Sequence, residues 1–366
     1  MTLNINYTRG HIPALDGLRG TAALAVIGFH IFSNHVKFGW IGVDLFFVLS
    51  GFLITGILLD SKGTVNYYRN YLAKRALRIF PLYYFFLIVF FGVFRWTGYG
   101  NSIDDYDYLS SIQSWYWLYI QNWRVFFDPL YPGEDIISHF WSLAIEEQFY
   151  IFWPIVIYLI PFRRVIPVCL ALIGISIACR LYMYYVLEMS FIKVYFFTAG
   201  HLDVLAVGAI LAAMVRNENL MALLAKYTLW IFIISGSAVL GIGVWNHSFG
   251  IQEFTPYGFT VLAIFFGSMI IVSLAPHRYN LLKFIMESRA LTFFGKYSYG
   301  LYVYHIPVLR ICMVELNGVV SRQMMLVIAF ALSIVVAYIS YHLIEKHFLK
   351  LKSRFTSMPR HEPEKV

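Results

Sequence analysis

Charge is scarce in this sequence. Only 13% of its 366 residues are Asp, Glu, Lys or Arg while 60% are apolar, and the mean hydropathy is +0.67. Such a chain cannot cover a water-facing surface, which excludes soluble domains and disorder. Cysteine is scarce too: Cys169, Cys179 and Cys312 all lie in apolar runs, so neither a disulfide framework nor a Cys/His metal site is expected. No Gly-rich phosphate loop and no Gly-x-Ser-x-Gly elbow occurs, so neither a P-loop nor a serine acyl-enzyme is expected. There is no internal repeat and no low-complexity tract. The net charge of +8 suggests nucleic acid, yet the basic residues sit between hydrophobic segments, and no nucleic-acid partner is expected. Aromatic residues, by contrast, make up 19% of the chain. That surplus suits an integral membrane protein with two lipid interfaces to line.

A bilayer core of about 30 Å takes roughly 20 apolar residues per helix. On that ruler ten spans are expected: Ala14 to Phe32, Trp40 to Leu59, Phe80 to Trp96, Trp141 to Ile160, Val165 to Leu187, Ala199 to Val215, Leu229 to Trp245, Tyr257 to Ala275, Leu291 to Val314, and Met324 to Ile344. The first carries Asp16, Arg19 and His30 and has no small-residue cleavage site, so it reads as retained and not as a signal peptide. With the N-terminus inside, twenty of the 28 Lys and Arg fall in inner segments, Arg9, Arg278, Arg360 and Lys365 among them, and four fall in outer ones. Cytoplasmic loops hold that excess, so both termini are expected in the cytoplasm. The long segment Thr97 to Phe140 then faces outward; its Asp104, Asp105, Asp107, Asp128, Glu134 and Asp135 outnumber its one basic residue, Arg124.

Ionisable side chains inside spans are costly, so each is a functional candidate. At 1.5 Å per residue, His30, Asp44, Glu146, Glu147, Arg180, His201, Asp203 and His305 all fall in the outer half of the bilayer. Asp16 and Arg19 fall at the inner edge beside Lys74, Arg75 and Arg78. A plainer reading stands beside each. A single His or Glu can be an interhelical hydrogen bond, Asp16 and Arg19 can pair along one face, the basic cluster can be an inside-positive flank, and the Trp and Tyr of the long segment can be an interfacial belt. Convergence at one depth is what these readings explain poorly.

Five stretches carry a family resemblance. Leu15-Asp16-Gly17-Leu18-Arg19-Gly20 with His30 eleven residues after Arg19, Gly42 to Leu53 around Asp44, Lys74-Arg75 to Pro81, Trp141-Ser142-Leu143 through Glu146-Glu147-Gln148-Phe149-Tyr150, and Gly295-Lys296-Tyr297-Ser298-Tyr299 through His305 follow one order from residue 15 to 305. In these the chain resembles the acyltransferase family 3 membrane proteins, which acylate glycans and some lipids and antibiotics. The resemblance implies an all-α domain over 1–350 with a basic cytoplasmic tail over 351–366, in the inner (cytoplasmic) membrane. It further implies acyl-CoA, most often acetyl-CoA, as donor, no permanently bound cofactor or metal, and a sugar hydroxyl as acceptor, on a glycan such as O-antigen, other lipopolysaccharide or exopolysaccharide. Many relatives append an SGNH-type extracytoplasmic domain; a stand-alone form is expected here.

Eleven residues are about three helical turns, so Arg19 and His30 share one stripe roughly 16 Å apart. The expected arrangement puts the CoA phosphates on Arg75, Arg78, Arg19 and Lys74, since arginine forks suit phosphate oxygens, with the thioester reaching up to His30. Acyl transfer to an alcohol needs a base and oxyanion stabilisation. His30 is the expected base or transient acyl carrier, with Asp44 at its other ring nitrogen and Glu146 orienting either His30 or the acceptor hydroxyl. Trp141, Ser142, Glu147, Ser298, Tyr302 and His305 are expected at the acceptor or the oxyanion. The rival functions are a proton-coupled transporter, for which no matched pair of broken helices is found, and a subunit that only passes acyl groups to a partner.

Overall fold

The structure is a computed structural model that describes residues 11–103, 105–127, 136–246, 248–255, 257–275 and 281–355. Arg9, Arg278, Arg360 and Lys365 of the charge count, Asp104, Asp128, Glu134 and Asp135 of the long segment, and most of the 351–366 tail lie outside the described residues. Among those described, the chain forms ten main helices and no strand: α1 (Pro13–Ile31), α2 (Gly42–Ser61), α3 (Tyr67–Leu87), α4 (Trp141–Leu159), α5 (Val165–Leu181), α6 (Leu202–Met214), α7 (Glu218–Trp245), α8 (Gly258–Leu274), α9 (Arg289–Glu315) and α10 (Arg322–Ser340). Each overlaps one of the ten apolar segments. Five helical stretches, Gly39–Ser61, Tyr67–Thr97, Phe162–Val186, Glu218–Trp245 and Arg322–Arg354, are long and apolar enough to cross a membrane. The protein is an all-α polytopic membrane protein.

Local chemistry explains the helix starts. Pro13 stands in the first turn of α1, where its missing N–H costs nothing. Asn217 caps α7 by accepting from the Asn219 and Leu220 amides, both at 3.1 Å, and Ser288 and Ser321 cap α9 and α10 in the same way. The start of α7 at Glu218 lies eleven residues ahead of the expected Leu229, and two other features differ from expectation. α3 starts at Tyr67 and not near Phe80, so Lys74, Arg75 and Arg78 stand on the helix itself; their charge hides the first three turns from a hydropathy ruler. The segment 97–140 is not structureless, but carries short helices at Tyr106–Ser111, Gln113–Trp117 and Gln121–Phe127.

α2 sits at the centre. Its most apolar window is 72% buried, against 22% to 39% for the other four long stretches, and it packs on α1, α4, α6 and α8. Small residues allow the closest crossings. A Cβ at Gly51 would strike the Leu205 carbonyl and one at Gly208 the Val48 carbonyl, which joins α2 to α6; one at Gly20 would strike the Leu291 carbonyl and one at Gly295 the Asp16 carbonyl, which joins α1 to α9. Side-chain contacts give the relative directions. Ser50 with Glu146 and Thr55 with Trp153 make α2 and α4 parallel. Asp44 with His201 and Asp60 with Arg216 make α2 and α6 parallel. His30 with His305, above the glycine contacts, makes α1 and α9 parallel. The start of α1, the end of α2, the start of α3, the end of α6 and the start of α9 therefore share one basic end of the bundle, and His30, Asp44 and the 97–140 segment share the other.

Candidate active site

Two cavities lie between α1, α2, α4 and α9. The one nearer the basic end, about 90 Å³, is lined by Arg19, Arg75 and Arg78 together with Ser50, Glu146, Tyr150, Ser142 and Ser298. Arg19 also takes Asp16 at 3.0 Å, the pairing along one face that three-residue spacing allows. Ser50 donates to Glu146 at 2.6 Å and meets the Tyr150 hydroxyl at 2.5 Å, and the Arg75 guanidinium stands 5.5 Å over the Tyr150 ring. Glu146 thus sits among the arginines, in the electrostatic reach of Arg75 and Arg19. It does not touch His30. The C-terminal segment adds Lys352, which lies in the field of Arg78, Arg75, Arg19 and Lys74. Lys74 itself is not among the lining residues of this cavity.

The second cavity, about 350 Å³, lies toward the opposite end and is lined by His30, His139, Trp40, Trp141 and Tyr195 among others. Val43 and Tyr302 line both cavities and form the wall between them. Tyr302 is held in place: its hydroxyl donates to the His139 carbonyl at 2.8 Å and meets Ser142 Oγ at 2.5 Å.

Hydrogen-bond chemistry fixes the imidazole tautomers. His30 Nδ1 is 2.9 Å from the Val26 carbonyl, which only accepts, so Nδ1 carries the hydrogen. His305 Nδ1 likewise donates to the Tyr302 carbonyl at 2.7 Å. His305 Nε2 then faces the His30 Nδ1–H at 3.3 Å, and two N–H groups cannot face each other, so that nitrogen is bare and accepts. Neutral His30 is left with a lone pair on Nε2, in a side chain that lines the second cavity. His139 completes the cluster, its ring centre 4.9 Å from that of His305 and its Nε2 3.3 Å from the Val303 carbonyl.

Other expected site residues stand elsewhere. Asp44 does not reach His30; its nearest ion partner is His201, whose Nδ1 is 3.9 Å away, beside the buried Arg180–Asp203 pair. The reason is azimuth: α2 shows Asp44 to α6, whereas the last turn of α1 shows His30 to α9. Glu147 is 4% exposed, lines neither cavity, and feels the charges of Arg75 and Glu146. Trp141 lines the second cavity and stacks on Phe196 with centroids 4.9 Å apart. Ser142, Ser298 and Tyr302 line the first, and His305 contacts His30 instead of that cavity. The structure adds His139, Ser50, Tyr150 and Lys352. Ser50 and Tyr150 stand inside the quoted motif stretches, and His139 stands two residues ahead of Trp141, outside every apolar span.

The helix bundle and its buried polar centre define the class: a polytopic membrane protein with its candidate site inside the bundle. The acyltransferase domain model matches residues 12–342, and the chain belongs to that family, acyltransferase family 3. It is 30% identical over 360 residues to a Bacillus subtilis protein named "Putative peptidoglycan O-acetyltransferase YrhL", covering 92% of this chain and 54% of that one. It is 27% identical over 362 residues to "Peptidoglycan O-acetyltransferase OatA" of Listeria monocytogenes, covering 94% and 57%. The chain thus spans somewhat more than half the length of these relatives. No solved structure matches it significantly. Family and relatives together support a membrane O-acyltransferase.

Proposed function

We propose that the protein takes an acetyl or similar short acyl group from acyl-CoA at its basic end and passes it to a sugar hydroxyl of an extracytoplasmic or lipid-linked glycan at the other. The observation that carries this reading is the pair of cavities, one lined by arginines and one by histidines, divided by Val43 and Tyr302 alone among their lining residues. Arg75, Arg78 and Arg19, which line the arginine cavity, suit the CoA phosphates, and the pantetheine arm reaches from them past Val43 and Tyr302 toward His30. Glu146, tied to Ser50, balances these cations and positions them. The peptidoglycan named in the two relatives is a candidate acceptor alongside O-antigen and exopolysaccharide.

The chemistry follows from His30. Its bare Nε2 takes the proton of the sugar hydroxyl as that oxygen attacks the thioester carbonyl. The resulting oxyanion meets the Ser298 hydroxyl. The C–S bond then breaks, CoA leaves as thiolate and takes the proton from the His30 imidazolium. His305 keeps the His30 ring in the required tautomer throughout. The orientation this needs places both termini in the cytoplasm and the cell's inner membrane around the bundle; a cysteine at Ser111, in a chain without its native cysteines, should label with an impermeant maleimide on intact spheroplasts.

The direct test is purified protein with acetyl-CoA, assayed for free CoA with and without a soluble glycan. CoA release that requires the glycan, with an acetyl ester appearing on it, is the expected result. Release indifferent to the glycan, or none, would overturn the proposal.

A further inference from the structure

A third hollow opens at the end of the bundle that carries His30. It measures about 1040 Å³ and lies between the end of α5, the end of α7 and the segment before α8. That is at the upper end of the roughly 300–1,000 Å³ usual for ligand clefts. It shares Phe191 and Gln252 with the histidine cavity, so the two adjoin at those residues. Its walls alternate aromatic faces, Tyr185, Tyr257 and Trp245, with the polar groups of Glu188, Asn246 and Glu253. We infer that this cleft binds the glycan chain and feeds one sugar toward His30, an assignment that rests on the acyl-transfer reading above.

The composition of the walls selects the ligand. Sugar rings present C–H faces that pack on aromatic rings and hydroxyl edges that donate to carboxylates and amides. Glu188 and Glu253 supply such carboxylates, and Glu253 Oε1 already accepts from Gln252 at 3.0 Å. Two carboxylates and, among the described lining residues, no Lys or Arg disfavour a phosphate-rich polymer or a lipid headgroup. A lipid-facing aromatic belt would need no carboxylates in the same hollow. The backbone is also held out of its relaxed state here. α5 ends in the π-helical turn Tyr182–Val186, and Glu188 adopts φ 48°, the left-handed region that non-glycine residues avoid. Such turns and conformations gather at ligand sites.

Trp245→Ala and Tyr257→Ala test the cleft, with Glu253→Gln as the conservative partner that keeps the fold if either fails. Trp96→Ala is the control: Trp96 is 87% exposed, as Trp245 is at 85%, but lines none of the three hollows described. The probe is soluble glycan strands released from peptidoglycan, measured both for equilibrium binding to full-length protein and as acceptor with labelled acetyl-CoA. The expected result is a rise of about tenfold in the dissociation constant and in the acceptor KM for each cleft variant, as the loss of one aromatic contact implies. The KM for acetyl-CoA should stay unchanged and kcat should change less than KM, and Trp96→Ala should match the wild type. Wild-type transfer with cleft variants indistinguishable from Trp96→Ala would overturn the cleft and leave the acyl-transfer reading standing. Wild-type protein that neither binds nor acetylates the strands would overturn both for this class of glycan.

Discussion

Two groups of buried ionisable residues lie toward the same end of this bundle and are built in opposite ways. In the first, between α2, α5, α6 and α8, Arg180 and Asp203 are both fully buried and Arg180 donates to the two Asp203 oxygens at 2.8 and 2.7 Å; Arg180 also donates to Ser176 and Thr260, and His201 and Asp44 stand alongside. The Arg180–Asp203 fork is fully spent, and none of these four ionisable groups lines either central cavity. In the second, between α1, α4 and α9, three imidazoles meet with hydrogens committed to carbonyls, and two lone pairs, on His30 Nε2 and His139 Nδ1, are left over in side chains that line a cavity. Burial of charge in a membrane helix marks both groups equally. What separates a brace from a reaction centre is unspent bonding capacity next to space.

The comparison breaks most visibly on the brace. Arg180→Leu leaves Asp203 buried without its partner and should cost about 3–5 kcal/mol of stability, read as a lower thermal midpoint in detergent. Replacing Arg180 and Asp203 together by apolar residues should recover much of that loss, and the surviving folded protein should still transfer. A single variant that keeps its midpoint but loses transfer would move the brace into the chemistry.

Next in size is the donor seat. Arg75→Gln or Arg78→Gln removes a charge-assisted hydrogen bond worth about 1.5–3 kcal/mol, and so should raise the apparent KM for acetyl-CoA with a smaller effect on the acceptor. A well-inserted double variant with unchanged donor dependence would reduce these arginines to topology signals.

The smallest effect is expected at Asp44. Asp44→Asn disturbs one interhelical polar contact, a change averaging about 0.6 kcal/mol, and transfer should stay within a few-fold of the wild type. A hundredfold loss would return Asp44 to the reaction centre.

The sequence made the helices legible and their faces much less so. Hydropathy finds every main helix because lipid demands apolar length, but it loses the first turns of α3, which carry Lys74 and where Arg75 and Arg78 line the arginine cavity. Depth along a helix follows from residue counting, and it placed His30, Asp44 and Glu146 at comparable levels. Azimuth does not follow from counting. It depends on which neighbour each face meets, and α2 turns Asp44 to α6 but Ser50 to α4, where Glu146 lies. His139 escaped for another reason: it sits in the 3₁₀ turn Ser138–Phe140 ahead of α4, in a segment that periodicity cannot read.

The central claim is that His30 accepts the proton of the acceptor hydroxyl. The most direct measurement is His30→Gln, with acetyl transfer and binding of a non-hydrolysable CoA analogue read on one purified sample. Loss of a positioned general base should lower transfer by about 10² to 10⁴ while analogue affinity stays within twofold of the wild type. Transfer retained within a few-fold would make His30 one more interhelical hydrogen bond and contradict the account.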